Sequence, residues 1–337
     1  MERFLQSKWF IIFIFIIIII AVANELLTSN KPSGTSTITE PGDDYWVAPS
    51  FFIEPAKESE NRGQLLYGMD LIANTSKYFG PKGSLAQTFN GMNCQNCHLK
   101  AGTKPFGNNY GAVASTYPKF RERSGSIESI EKRVNDCFER SLNGTALANN
   151  TKEMRAIVAY ITWLGQYVKK GEKPKGSGIT DLKFLDRAAS PVNGKSVYTQ
   201  KCQRCHGVDG EGLKDLNDIS FVYPPLWGEH SYNTGAGLYR ITRLAGYVKD
   251  NMPFAITTNH FHPQLTDEEA WDVAAFVNSQ PRPEKDLSKD WPNIAGKPVD
   301  NPFGPYADNF SEQQHKYGPF EPIRKAKEET LKKKPTK

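Results

Sequence analysis

Two stretches of this sequence share the pattern C-x-x-C-H: CQNCH at residues 94–98 and CQRCH at residues 202–206. In each stretch two thiols fall within one helical turn and a histidine follows at once. This spacing is typical of covalent haem c attachment, in which both thiols bond the porphyrin and the histidine coordinates the iron. One zinc ion shared by the four cysteines is the alternative, and it leaves both histidines unexplained. The predicted cofactors are therefore two covalently bound haem c groups, attached at Cys94, Cys97, Cys202 and Cys205, with His98 and His206 as proximal iron ligands.

The same local order recurs around both motifs. A Tyr-Pro pair follows each motif, at Pro118 and at Pro224, and a helix start comes later in each half. The first start lies at residues 150–153 and the second at residues 266–269, each with a Glu at the capping-box position. Each half thus predicts a helix, the motif, a proline-containing loop and a closing helix. This order resembles the small class I cytochrome c domain, and it predicts a mainly α protein with two such domains in tandem.

The composition of the chain predicts where these domains begin and end. A charged Lys/Gly/Pro linker, residues 169–178, separates the two halves. After Arg282 the chain is rich in proline, glycine and aromatic residues, and it predicts an extended C-terminal wrap. The predicted segments are 1–23 (signal peptide or N-terminal anchor), 46–172 (domain 1), 183–285 (domain 2), 286–323 (extended wrap) and 324–337 (disordered basic tail).

The N-terminus has the plan of an export signal. Arg3 and Lys8 form a short basic region, an unbroken apolar run covers residues 9–20, and Ala21-Val-Ala23 provides a small-residue cleavage site. An uncleaved N-terminal anchor in the inner membrane is the alternative. Either outcome predicts a periplasmic protein, in a compartment where free thiols tend to oxidise.

The charge distribution argues against a nucleic-acid-binding protein. The formal net charge is +5, and the Lys-rich end from residue 324 to residue 337 accounts for a charge of that size by itself. Positive charge concentrated in a tail does not form the basic face that binds a nucleic acid.

Each haem iron needs a sixth ligand or an open face. In domain 2 the candidate is Met252, on the loop before the closing helix, because a thioether ligand is typical of electron-transfer cytochromes. A core methionine is the alternative interpretation. His260 and His262 lie on the same loop and are the rival ligands.

In domain 1 the matching position holds Cys137, the one cysteine outside the two motifs. Ligation of iron by its thiolate explains a free cysteine in an oxidising compartment, whereas an inert buried thiol and an intermolecular disulfide are the alternatives. An apolar stripe predicts a helix around Cys137, and Arg133 and Ser141 then share its face. With Arg121 and Arg123 nearby, these residues predict either a pocket for a small dianion or a solvated basic face. The stripe comprises Ile127, Ile130, Val134, Phe138 and Leu142.

Four segments resemble the dihaem thiosulfate dehydrogenase/tetrathionate reductase family: RVNDCFERSLNG at 133–144, YPPLWG at 223–228, FVNSQPRP at 276–283 and HKYGPF at 315–320. The resemblance implies a periplasmic enzyme that interconverts two thiosulfates and one tetrathionate with exchange of two electrons. Electrons would pass from haem 1 to haem 2 and then to a partner cytochrome c or another periplasmic electron carrier.

The resemblance also implies roles for individual residues. Some family members place a lysine, as an alternative iron ligand, directly before the methionine; here that position is Asn251. By resemblance, the iron ligands are His98, Cys137, His206 and Met252, and the catalytic residues are Cys137, Arg123, Arg133 and Ser141.

A non-catalytic dihaem electron carrier is the chief alternative function.

Overall fold

The computed structural model of the chain describes residues 45–51, 59–254 and 265–333. The predicted signal or anchor at residues 1–23 lies outside the described residues, as do His260 and His262. Within the described ranges, no helix combines the length and the apolar character needed to cross a bilayer. The helices are α1 (Ser59–Ala73), α2 (Thr75–Phe79), α3 (Leu99–Gly102), α4 (Val113–Thr116), α5 (Ile130–Arg140), α6 (Lys152–Leu164), α7 (Pro191–Lys201), α8 (Gln203–His206), α9 (Ile241–Asn251), α10 (Asp267–Ser279), α11 (Glu312–Tyr317) and α12 (Glu321–Lys333).

Strands are few and short among the described residues. They form two antiparallel pairs. One pair belongs to the first half of the chain, which carries the first C-x-x-C-H motif, and the other belongs to the second half, which carries the second motif; these are called the two haem halves below. The strands are β1 (Lys119–Arg121), β2 (Ser126–Glu128), β3 (Leu213–Lys214) and β4 (Phe221–Tyr223). The fold is therefore mainly helical, as the sequence predicts.

Each half is built around one close helix crossing. Helix α1 packs on α6 in the first half, and α7 packs on α10 in the second. A glycine lies at both crossings: a Cβ at Gly68 would stand 2.1 Å from the Ala156 carbonyl oxygen, and one at Gly194 would stand 1.9 Å from that of Asp272. Only a residue without a side chain permits such a close approach of two helices, so both halves depend on a glycine at the equivalent crossing.

The closing helices begin differently from each other. Thr266 and Glu269 form the predicted capping box at the start of α10. In the first half Thr151, not Asn150, caps α6, so Glu153 is one position too early for a capping box. Glu153 instead accepts a hydrogen bond from the Tyr67 hydroxyl at 2.9 Å. The capping-box prediction is thus confirmed for the second helix and wrong for the first.

The helix around Cys137 is shorter than the apolar stripe predicts. Ile127 lies on β2, paired with Phe120, and is 72% exposed. The helix begins only after Ser129, whose hydroxyl accepts the backbone N–H of Lys132 at 3.3 Å. The inclusion of Ile127 in the helix is therefore wrong, because a serine cap and the strand pairing end the helix on its N-terminal side.

The chain from residue 321 to residue 333 is helical. Tyr317, Phe320 and Ile323 are buried in the core of the second half. Helix α12 follows from residue 321, and Arg324 pairs with Glu321 and Glu328 one turn away on either side. The prediction of a disordered tail from residue 324 is wrong over this helix. The ion pairs at i,i+3 and i,i+4 spacing and the burial of Ile323 stabilise the helix against the repulsion between its many lysines.

Candidate active site

Both C-x-x-C-H motifs fold so that the histidine follows the first cysteine by one turn. The backbone N–H of His98 donates to the Cys94 carbonyl at 2.9 Å, within a turn that starts as a 3-10 helix. The N–H of His206 donates to the Cys202 carbonyl at 3.0 Å, where α8 begins. None of the five cysteines forms a disulfide, so the four motif thiols are available for thioether bonds.

The histidine rings are oriented alike. The Nδ1 atom of His98 lies 2.5 Å from the carbonyl oxygen of Asn108, and Nδ1 of His206 lies 2.9 Å from that of Pro224. A carbonyl oxygen can only accept, so Nδ1 carries the proton and Nε2 keeps its lone pair for a metal. Burial lowers the pKa of His98 to about 4 and also lowers the pKa of His206, which keeps both rings neutral.

The linker between the two halves helps to hold His98. The backbone N–H of Asn108 donates to the Gly178 carbonyl at 2.8 Å, and that of Phe106 donates to the Gly176 carbonyl at 2.8 Å. The segment at residues 169–178 is therefore docked on the first half through these bonds. It fixes the loop whose carbonyl orients the His98 ring.

Helix α5 carries the predicted cysteine into the same region. Arg133 and Cys137 lie one turn apart on it, and the N–H of Ser141, its C-terminal cap, donates to the Cys137 carbonyl at 2.8 Å. Phe138 is fully buried and stacks on Phe89, with ring centroids 4.8 Å apart. Core packing of Phe138 thus fixes the rotation of the helix.

One cavity of about 430 Å³ brings the predicted residues of the first half together. Much of its wall is apolar, from Ile72, Val113, Ile130, Ile157, Ile161 and Leu142. An apolar wall, two thiols and a neutral imidazole with a free Nε2 fit a haem c group. The predicted site residues that line the cavity are Cys94, Cys97, His98, Arg123, Arg133, Cys137 and Ser141.

The charges in this cavity favour an anion. The negative charge available at Cys137 raises the pKa of Arg133, against the opposing effect of burial. Burial lowers the pKa of Arg123 to about 10, assisted by repulsion from Arg140 and Arg133. Both guanidinium groups nevertheless stay protonated at neutral pH, so two largely buried cations line the same cavity as the cysteine.

Sequence reasoning missed two further arginines on the cavity wall. Arg240 and Arg243 come from the start of α9, in the second half. Arg240 Nε donates to Asp300 at 2.8 Å, and Arg243 donates to Asp181 at 2.7 Å. Their partners are 60 and 62 residues away along the chain, so no local pattern identifies them.

The second haem half places Met252 at the end of α9. Met252 packs beside Leu99, Ile179 and Tyr247, whereas His206 stands beside Tyr223, with ring centroids 6.2 Å apart. These contacts do not place Met252 opposite His206, so the pairing of the two residues on one iron stays a prediction.

Two family models match the chain, one in each half. The model for the SoxA/TsdA cytochrome c domain matches residues 85–168, and the model for cytochrome c matches residues 191–281. The chain is therefore a dihaem c-type cytochrome: two tandem cytochrome c domains that carry two covalently bound haem c groups, in place of a shared zinc ion.

Relatives identify the family. A thiosulfate dehydrogenase of Psychrobacter arcticus is 40% identical over 207 residues, which cover 60% of this chain and 61% of that protein. A thiosulfate dehydrogenase of Allochromatium vinosum is 41% identical over 198 residues, 58% of this chain and 71% of that protein. The chain thus spans less than two thirds of the first of these relatives. It belongs to the thiosulfate dehydrogenase family, as its resemblance implies.

A solved structure agrees with this assignment. The thiosulfate dehydrogenase (TsdBA) of Marichromatium purpuratum, in its as-isolated form, superposes with a TM-score of 0.64 at 30% sequence identity. The match covers 72% of this chain and 50% of that one.

Proposed function

We propose that this protein interconverts two thiosulfates and one tetrathionate, with exchange of two electrons, in the cavity beside Cys137. The observation that carries the proposal is the convergence of His98, Cys137, Arg123, Arg133 and Ser141 on one cavity. A non-catalytic electron carrier has no need of buried arginines beside a free thiol.

The haem groups would be held by residues already described. Thioethers from the four motif cysteines would attach them, His98 and Cys137 would bind the first iron, and His206 and Met252 the second. When bound, the two groups supply acceptors for single electrons.

The thiol of Cys137 would act as the nucleophile. Its thiolate and the outer sulfur of one thiosulfate form an S–S bond, which gives Cys–S–S–SO3⁻ and releases two electrons. The outer sulfur of a second thiosulfate then attacks this adduct at the sulfur that bears the sulfonate. The product is tetrathionate, and the Cys137 thiolate is regenerated as the leaving group, so atoms and charge balance.

The arginines would bring two dianions together. Arg123 and Arg133 are partly buried guanidinium groups on the cavity wall, and such groups bind sulfonate oxygens strongly where water is largely excluded. Their charges offset the repulsion between the two substrates, and the Ser141 hydroxyl would donate a hydrogen bond to one of them.

The electrons would leave through the second half to a partner cytochrome c or another periplasmic carrier. Export by residues 1–23, as a cleaved signal or as an anchor, would place the protein in that compartment.

The experiment is a ferricyanide-reduction assay with thiosulfate on purified dihaem protein and on Cys137→Ser. Serine keeps the size of the side chain but is neither a thiolate nor a sulfur nucleophile, so turnover should fall by more than about 100-fold. Haem content, measured as the pyridine haemochrome, should stay at two per chain. Full turnover in this variant would refute the role of Cys137, and a wild-type protein without thiosulfate-dependent reduction would favour the electron carrier.

A further inference from the structure

The segment that follows the second haem half reaches back to the proposed anion cavity. Asp290 accepts two parallel hydrogen bonds from Arg140, both of 2.8 Å. The two side chains are only 11% and 12% exposed. Because a buried bidentate pair fixes the orientation of both groups, Asp290 is anchored at the end of the helix that carries Cys137.

The same carboxylate faces Arg123. Asp290 Oδ2 lies 3.9 Å from Arg123 Nε, and the Arg123 side chain is 14% exposed. Its Nη1 donates to the Gly235 carbonyl at 3.0 Å, while its Nε is buried without a hydrogen-bond partner among the described residues. The position of this guanidinium group therefore depends on one carbonyl and on the charge of Asp290.

Trp291 holds Arg123 from the backbone side. Its N–H donates to the Arg123 carbonyl at 2.7 Å, and the centre of its ring lies 5.7 Å from the guanidinium carbon. Trp291 has a φ of +62°, in the left-handed region that a bulky residue rarely adopts. Such a conformation persists where the surroundings over-determine it, often next to a functional site.

We infer that Asp290 and Trp291 are positioning residues for Arg123, so that a segment outside both haem halves completes the anion pocket. Asp290 neutralises Arg140 and faces Arg123, and Trp291 fixes the Arg123 backbone and covers one face of its guanidinium group. The inference rests on the proposed function only for the identity of the anion.

The test uses the full dihaem protein and four variants. Asp290→Asn removes the charge and keeps the shape, and Trp291→Leu removes the ring. Trp291→Phe keeps an aromatic face, and Asp286→Asn makes the same charge change at an exposed carboxylate of the same segment. Two quantities are measured: the rate at which phenylglyoxal modifies Arg123, followed by peptide mass spectrometry, and the kinetic constants for thiosulfate.

In Asp290→Asn and Trp291→Leu we expect faster modification of Arg123 and a KM for thiosulfate about tenfold higher, with kcat little changed. Trp291→Phe and Asp286→Asn should resemble the wild type. Unchanged modification and an unchanged KM in both of the first two variants would overturn the inference. So would faster modification of all arginines together with a lower melting temperature, which indicates a general structural role.

The modification rate also separates this inference from the proposed function. It does not depend on turnover, so a wild-type protein that fails to oxidise thiosulfate still reports whether Asp290 and Trp291 hold Arg123. In that case the proposed function fails, and the selective change at Arg123 alone decides the inference.

Discussion

Lys104 Nζ donates a 2.8 Å hydrogen bond to Asn251 Oδ1, so a buried ammonium group of the first half is held by the residue directly before Met252. The Asn251 side chain is fully buried, and its amide also donates to the carbonyls of Phe106 at 3.1 Å and Tyr247 at 2.8 Å. Burial lowers the pKa of Lys104. Asn251 therefore links the two haem halves, beside the residue predicted to bind the second iron.

Replacement of this link should destabilise the protein. Asn251→Ala removes the oxygen that accepts the hydrogen bond of the buried Lys104 ammonium, and loss of the partner of a buried polar group costs about 1–3 kcal/mol, more when the group is charged. We expect the free energy of unfolding to fall by about 2–4 kcal/mol. Guanidinium unfolding followed by far-UV circular dichroism measures it, with the exposed Asn149→Ala as the control. Equal stability of the two variants would contradict the link.

Arg133 offers a test of anion binding by geometry as well as by charge. Arg133→Lys keeps the cation but loses the planar fork that binds two oxygens at once. We expect kcat/KM for thiosulfate to fall by about 10–100-fold, with both haem groups retained. The control is Lys132→Gln, at the preceding residue of the helix, whose side chain is 50% exposed and pairs with Asp136. A lysine variant with wild-type kinetics would indicate that charge alone is enough.

The parts of the site that sequence reasoning identified are local ones. A four-residue spacing places Arg133, Cys137 and Ser141 on one face of a helix whatever the rest of the chain does. The C-x-x-C-H spacing likewise determines a turn with a histidine at its end, and both turns form.

The features that the sequence did not reveal depend on long-range contacts or on competing local signals. Asp290 and Arg140 are 150 residues apart, and nothing near either residue predicts their pairing. Ile127 fits the helical stripe, but its strand pairs with Phe120. The Lys-rich end has the composition of a disordered tail, yet Ile323 docks it on a core.

Tyrosine 67 provides a pH dependence that does not involve the haem sites. Burial and the hydrogen bond to Glu153 raise the pKa of Tyr67 to about 12, whereas an unfolded tyrosine titrates near pH 10. Between these values the unfolded chain loses its proton first, so the folded state binds more protons and stability falls as pH rises. The contribution is complete below about pH 10 and is lost towards about pH 12.

Tyr67→Phe should therefore show a smaller loss of stability between pH 9 and pH 11.5 than the wild type. Unfolding in guanidinium at a series of pH values measures this slope. The control is Tyr167→Phe, since that ring is 70% exposed. Parallel slopes for Tyr67→Phe and the wild type would mean that this hydroxyl is not held by Glu153 in solution.

Helix α12 lies largely where the sequence composition predicts a disordered tail, and its packing on the second half can be measured. Ile323 is 1% exposed and belongs to the same core as Trp271 and Phe320. Ile323→Ala should lower the free energy of unfolding by about 2–4 kcal/mol, because it removes buried methyl groups and leaves a cavity. Thr330→Ala, on an exposed part of the same helix, should change it by less than about 0.5 kcal/mol. If both variants matched the wild type, the helix would not be packed on the second half in solution, and the basic end would be a free tail.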